Sequence, residues 1–205
     1  MGLYRRHILP RLIDLSMQNR AVRAERARFV PLASGTVLEV GLGSGLNLPF
    51  YSPAVERLYG LDPSLELQTM ARRRARDSRL PVEFIAGSGE RIPMEDETVD
   101  AVVTTWTLCS IPDPVTALTE MKRVLNPGGR LIFIEHGRSP DARVVSWQDR
   151  LTPVWRRLAG GCHLNRKIDA LILAAGFRIA EIETAYMKGP KPLVYLYKGV
   201  AQRSS

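Results

Sequence analysis

Apolar residues along this chain switch repeatedly between helical spacing and short continuous runs. Leu9, Leu12, Ile13 and Met17 recur at helical intervals among polar residues, and Pro10 suits a first helical turn, so one helix is predicted from about Pro10 to Phe29. β-Branched apolar runs then predict buried strands at Val37–Val40, Arg57–Leu61, Val82–Ala86, Val99–Thr105 and Arg130–Ile134. Helices are predicted between them: from a Ser64 cap to about Arg79, and from Pro114 to Leu125. Asn47–Tyr51 reads as a helix start or turn, and Asn126-Pro127-Gly128-Gly129 as a turn. Ser146–Arg166 reads as an insert. A helix from about Arg166 to Ala175 stops at Gly176, and strands at Arg178–Glu183 and Leu193–Tyr197 close the chain. Seven strands alternating with helices and ending in a hairpin-like pair predict a doubly wound α/β sheet.

Composition narrows this picture. A chain of 205 residues is one domain with a single substantial core, here residues 31–205, preceded by a basic amphipathic helix within 1–30. No apolar run reaches the length of a membrane span, and basic Met1–Pro10 lacks the continuous apolar core of a signal peptide, so a cytoplasmic protein is expected. Cys109 and Cys162 have neither paired metal spacing nor a redox Cys-x-x-Cys, so no metal and no disulfide are expected. The net charge of +8 suits nucleic acid, an anionic membrane or an acidic substrate. Arginines crowd Arg5–Arg28 and Arg72–Arg79, where a solvated helix face is the simpler account of the second cluster. The first helix could roof a pocket, lie on an anionic membrane, or simply pack on the sheet.

The candidate chemistry begins at Glu39-Val40-Gly41-Leu42-Gly43-Ser44-Gly45. Glycines after a buried strand let the chain turn sharply and bring bare N–H groups to a ligand. A dinucleotide fingerprint would need glycine where Leu46 stands, which counts against a dehydrogenase. Asp62-Pro63 ends the second strand at the separation expected of a ribose-binding carboxylate. Ser88, Gly89 and Glu90 follow the third strand, and Thr105 and Trp106 end the fourth. In open α/β sheets these strand ends are where ligands bind. The loop after Thr105 is not the Asn/Asp-Pro-Pro-Tyr/Phe tetrapeptide of enzymes that methylate base amino groups, so no nucleic-acid partner is expected.

These motifs together resemble the class I S-adenosylmethionine-dependent methyltransferases over about residues 36–201, and more narrowly their thiol S-methyltransferase branch. The likeness is carried by Leu38-Glu39-Val40-Gly41, Asp62-Pro63, Gly89-Glu90, Leu108-Cys109-Ser110, Arg123-Val124-Leu125, Pro127-Gly128-Gly129, Glu135-His136 and Gly161-Cys162, with Leu164 and Arg166. Ser88 stands where the wider class has an acidic residue, a departure this branch shares. The resemblance implies a Rossmann-like methyltransferase fold that takes S-adenosylmethionine as cofactor. Its sites would be Glu39, Gly41, Gly43, Gly45, Asp62, Pro63, Ser88, Gly89, Glu90 and Thr105. It implies methyl transfer to a small thiol such as hydrogen sulfide or an alkanethiol. Better-known members carry a longer hydrophobic anchor at the N-terminus, so only peripheral attachment at the inner face of the membrane is expected here.

A thiol acceptor must lose a proton, and His136 at the end of the fifth strand is the first candidate base, His163 the second. His136 could equally be a rim histidine held by Glu135. Trp106, Cys109 and Trp147 are candidate walls of the acceptor site. Phosphatidylethanolamine N-methylation is the alternative reaction, and a non-catalytic S-adenosylmethionine-binding module the alternative class.

Overall fold

The computed structural model describes Tyr4 and residues 8–203. The predicted basic positions Arg5 and Arg6 lie outside the described residues. Seven strands form one sheet in the order β3-β2-β1-β4-β5-β7-β6. They are β1 (Gly35–Val40), β2 (Val55–Asp62), β3 (Val82–Ala86), β4 (Val99–Thr105), β5 (Leu125–His136), β6 (Phe177–Tyr186) and β7 (Tyr195–Arg203). The first five pair in parallel, and β7 runs antiparallel to both β5 and β6. The chain winds one way from β1 through β2 to β3, then returns past β1 to β4. The carboxyl ends of β1 and β4 therefore flank the topological switch point.

The central strands carry continuous apolar stretches, Ala101–Val103 of β4 and Leu131–Ile134 of β5, because both sheet faces are covered there. Val102, Leu131 and Phe133 face α4 (Pro114–Val124) and α6 (Ile168–Ala174), where they meet Leu118, Met121, Ile168 and Ile172. Val103, Ile132 and Ile134 face the other way, toward Phe29 of α2 (Arg20–Phe29) and Ala71 of α3 (Leu65–Ala75). The period-two alternation sends neighbouring residues to opposite cores.

The structure departs from the sequence expectations in four places. The N-terminal helix is two helices, α1 (Leu9–Ser16) and α2, because Asn19 leaves the helical conformation and caps α2 by accepting the Val22 N–H at 3.0 Å. The insert contains a 17-residue helix, α5 (Ala142–Leu158), with Pro153 inside it. Its buried stripe is Val144, Gln148 and Thr152, largely polar, so the periodicity that marks an ordinary amphipathic helix is missing. Asn126–Gly129 is a bulge within β5, because Leu125 pairs with Val99 and Arg130 with Ala101. The last strand runs on to Arg203.

An ion network ties α2 to the antiparallel strands. Buried Lys198 meets Glu25 at 2.8 Å and Glu183 at 3.0 Å, and Glu183 also meets Arg28 at 2.9 Å. No helix among the described residues is long and apolar enough to cross a membrane.

Candidate functional site

At the end of β1 the glycine loop turns back under the end of β2. The N–H groups of Gly41 and Leu42 both donate to the Leu61 carbonyl, at 2.8 and 3.1 Å. Gly41 has φ +77°, and any Cβ there would collide with the Thr107 side chain, so glycine is required. Asp62 is buried with one oxygen accepting the Gly43 N–H and the other the Ser64 N–H, both at 2.8 Å. Burial raises its pKa, and those two backbone donors oppose the rise.

The N-terminal helices roof this loop. Asp14 of α1 accepts the Ser44 hydroxyl at 2.6 Å and pairs with Arg74 at 2.9 Å. Arg74 also donates to the Ser44 carbonyl, so one member of the second arginine cluster is an internal tie rather than a solvated charge. Arg26 of α2 donates through Nε to Asn47 Oδ1 at 2.8 Å, and lies 4.9 Å over the Trp106 ring. Asn47 passes the connection to Glu39 Oε1 and Thr105 Oγ1, at 2.8 and 3.0 Å, while Tyr51 donates to Glu39 Oε2. Burial pushes Glu39 up to about 8, against the lowering effect of Tyr51, Asn47 and Arg26. Glu39 and Thr105 thus build the wall behind the loop. Trp106 itself sits at φ +52°, an uncommon backbone for a bulky residue, beside the switch point.

The loop after β4 is held from two sides. Glu135, fully buried, accepts the Thr104 hydroxyl at 2.8 Å and the N–H groups of Thr107 and Cys109 at 3.0 and 3.3 Å. Burial brings its pKa up to about 7. It is therefore occupied by this loop and does not orient His136. From the other side, Arg166 donates to the carbonyls of Leu108, Ile111 and Pro112, and the His163 N–H donates to the Cys109 carbonyl at 2.7 Å. This latch brings Cys162 to Cys109 and His136. Donor atoms of the three lie within 4.8 Å of one another, with Cys162 Sγ 3.5 Å from His136 Nδ1. A hydrogen bond between the two thiols pushes Cys109 up and Cys162 down.

The other predicted positions divide. Pro63 is exposed in the turn after Asp62. Ser88 and Glu90 are bonded to each other at 2.8 Å, and Glu90 also accepts the Asp113 N–H at 2.8 Å, which makes it a loop brace. Gly89 is buried against Val40 and Ile111. His163 fastens its ring to the Cys109 carbonyl at 3.3 Å, and burial lowers its pKa. Trp147 is not gathered in: its side chain lies on the outer face of α5 beside Arg150, 55% exposed. The sequence reading missed Asp14, Arg26 and Cys162 as site residues. The first two carry a signal in hindsight, as charges on otherwise buried helix faces with Leu9 or with Val22 and Phe29.

Comparison with known proteins gives the arrangement a context. Residues 38–133 match a family model described as "Methyltransferase domain". The chain is 36% identical over 152 residues to "Thiol S-methyltransferase TMT1B" of Rattus norvegicus, which covers 72% of this chain and 62% of that protein. It is 35% identical over 173 residues to the Homo sapiens protein of the same name, covering 82% and 69%. The chain thus spans about two thirds of the length of these relatives. "Phosphatidylethanolamine N-methyltransferase" of Cereibacter sphaeroides is 36% identical over 116 residues, covering 56% of this chain and 57% of that one. Among solved structures, a putative methyltransferase from Bacillus halodurans C-125 superposes with TM-score 0.72 at 18% identity, covering 89% of this chain and all of that one.

Proposed function

The chain belongs to the class I S-adenosylmethionine-dependent methyltransferases, and from that premise we propose that it methylates a small thiol, hydrogen sulfide or an alkanethiol. S-adenosylmethionine is the methyl donor and supplies an electrophilic methyl group on a sulfonium. The residues present fit it. Each Asp62 oxygen spends one lone pair on a backbone N–H, which leaves acceptor capacity on both for two ribose hydroxyls. At Gly43 the nearest atom to where a Cβ would stand is 3.8 Å away, so that backbone is open to a ligand. Asp14 and Arg26 tie the N-terminal helices to this loop through Ser44 and Asn47. Direct transfer needs alignment and dryness more than a protein nucleophile.

The acceptor is the part that must change protonation. A free thiol has a pKa of about 8.5, so little of it is thiolate at neutral pH. The observation that carries the thiol reading is the Cys109–His136–Cys162 group, whose Cys109 lies on the loop that packs Thr107 against Gly41, in a chain related to proteins named thiol S-methyltransferases. Labelled S-adenosylmethionine offered with sulfide, short alkanethiols and phosphatidylethanolamine vesicles is expected to yield methyl thioethers. His136→Ala should lower that turnover at least ~100-fold. Label appearing only in lipid would move the acceptor to the headgroup amine, as the Cereibacter relative's name suggests for that protein. Binding with no turnover of either would leave the methyl acceptor to be sought outside both classes.

We further propose that the enzyme works at an anionic membrane surface. Leu12 and Leu15 of α1, with Ile8 just before it, are exposed at helical spacing, and so are Trp147, Leu151, Val154 and Leu158 of α5. The two helices are neighbours: Tyr4 donates to the Leu158 carbonyl at 2.9 Å, and Gly160 lies against Leu9 and Ile13. Exposed Arg11, Arg143, Arg150 and Arg157 flank this apolar surface. Apolar stripes rimmed by arginine are suited to an acidic lipid interface. The Leu15→Asp, Val154→Asp double variant should lose at least ~10-fold in co-sedimentation with phosphatidylglycerol vesicles, and should keep turnover of a soluble thiol. Undiminished vesicle binding would overturn the proposal.

A further inference from the structure

We propose that Cys109, His136 and Cys162 bind a thiophilic divalent metal ion, zinc foremost, and that its fourth position takes the acceptor's sulfur. The second clause rests on the thiol reading; the first does not. Sequence spacing gives no hint of this site, because its ligands stand 27 and 26 residues apart, read from their positions. They come from three elements: the loop after β4, the end of β5, and the loop between α5 and α6.

The geometry is close to that of a bound ion. Tetrahedral zinc with metal–sulfur bonds of about 2.3 Å and metal–nitrogen bonds of about 2.0–2.1 Å sets neighbouring donors roughly 3.5–3.8 Å apart. The Cys162 sulfur and His136 Nδ1 are already 3.5 Å apart, and no donor pair exceeds 4.8 Å. The imidazole has no strong competitor for its lone pair. Nδ1 faces the sulfurs of Cys162, at 3.5 Å, and Cys109, and Nε2 is buried with no hydrogen-bond partner among the described residues. A buried polar atom left in this way normally has a reason.

The surroundings hold the ligands in place. The Cys109 N–H is fixed by Glu135 and its carbonyl by the His163 N–H. Gly161, at φ +99°, lets the Cys162 loop close on the Ser110 carbonyl, which would stand only 3.0 Å from a Cβ. Such outer contacts are what orient metal ligands. Charge also balances: two thiolates and a neutral imidazole neutralise a dication in a largely buried site. Three protein ligands leave one tetrahedral position open, the pattern of catalytic rather than purely structural zinc.

That position explains how a thiol is activated without a free base. The acceptor R–SH binds the ion as thiolate and gives its proton to water. Its sulfur then forms the bond to the methyl carbon as the carbon–sulfonium bond breaks, giving a neutral thioether and a neutral donor by-product. The metal keeps its oxidation state throughout. His136 serves as a ligand, and the base expected at this position from sequence is replaced by the ion.

The test uses the full chain purified after growth with zinc, and the same chain reconstituted with cobalt(II). Bound zinc near one per chain is expected, falling at least tenfold in Cys109→Ser, Cys162→Ser and His136→Ala with S-adenosylmethionine affinity kept within threefold. The cobalt protein should show the intense visible bands of a tetrahedral site and a near-ultraviolet thiolate charge-transfer band. Both should shift when ethanethiol is added. The wild-type cobalt spectrum decides the matter even if a variant fails to fold. Absence of stoichiometric metal and of these bands overturns the site, and methylation of thiols by such a metal-free chain would leave the thiol reading standing. A cobalt spectrum indifferent to ethanethiol in a chain that does methylate thiols overturns the fourth-position clause alone. A metal-bearing chain that methylates no thiol retains the site and removes the acceptor reading.

Discussion

Asp62→Ala is expected to weaken S-adenosylmethionine binding at least ~100-fold, with a matching loss of turnover. Two effects combine. A carboxylate accepting two hydroxyl hydrogen bonds contributes about 1.5–3 kcal/mol through each, and both go with the side chain. The same oxygens fix the Gly43 and Ser64 N–H groups at 2.8 Å, so the glycine loop and the start of α3 also lose their anchor. Asp62→Asn separates the contributions. Its amide keeps one accepting oxygen but presents N–H groups toward a backbone N–H, so a loss nearly as large is expected. Calorimetric titration with S-adenosylmethionine, beside melting curves confirming that each variant folds, measures this directly. An affinity within threefold of wild type for Asp62→Ala would remove the carboxylate from the donor site.

How much of this was legible beforehand follows from where each signal resides. The central strands were plain because residues such as Val102 and Val103 are buried on opposite faces, so Ala101–Val103 and Leu131–Ile134 have no polar gaps. The glycine loop and Asp62 were plain because backbone turns and a ribose carboxylate are local in sequence. Helix α5 was hidden by an inverted pattern: Gln148 is fully buried, donating to the Gly137 and Pro192 carbonyls and accepting the Ser139 N–H, while Trp147, Leu151 and Val154 face outward. That inversion also misled the reading of Trp147, whose aromatic ring suggested a pocket wall. The break between α1 and α2 was hidden because Asn19 signals a cap only once the chain is seen to leave the helix there. The cysteine–histidine group was illegible for another reason. Its members meet only because Arg166 and His163 clasp the Leu108–Pro112 loop, a contact made between residues more than fifty positions apart.

Arg26→Met is expected to cost about 3 kcal/mol or more in folding stability, because it breaks a buried charged network from one side. Arg26 is nearly inaccessible, and burial brings its pKa down to about 10, so it is still a cation at neutral pH. Its loss strands Asn47 Oδ1 and the Met17 carbonyl, which it bonds at 2.8 and 2.7 Å, and bares the Trp106 face. Methionine fills much of the volume, which keeps the effect electrostatic rather than a cavity. The pH dependence gives an independent check on the same network. Glu39 titrates at about 8 in the folded chain, against about 4.5 for an ordinary glutamate, so the native state holds this proton more tightly than the unfolded state does. Its contribution is complete below pH ~4.5 and is lost as pH rises through about 8. Glu39→Gln cannot lose a proton, so the wild-type urea midpoint should fall relative to that variant between pH 5 and 9. Removing Arg26 withdraws a positive charge that lowers Glu39, so in Arg26→Met the loss still begins near pH ~4.5 but should continue to a higher pH. Parallel pH curves for wild type and Glu39→Gln, or an Arg26→Met cost below ~1 kcal/mol, would mean that this network does not hold the roof to the donor loop.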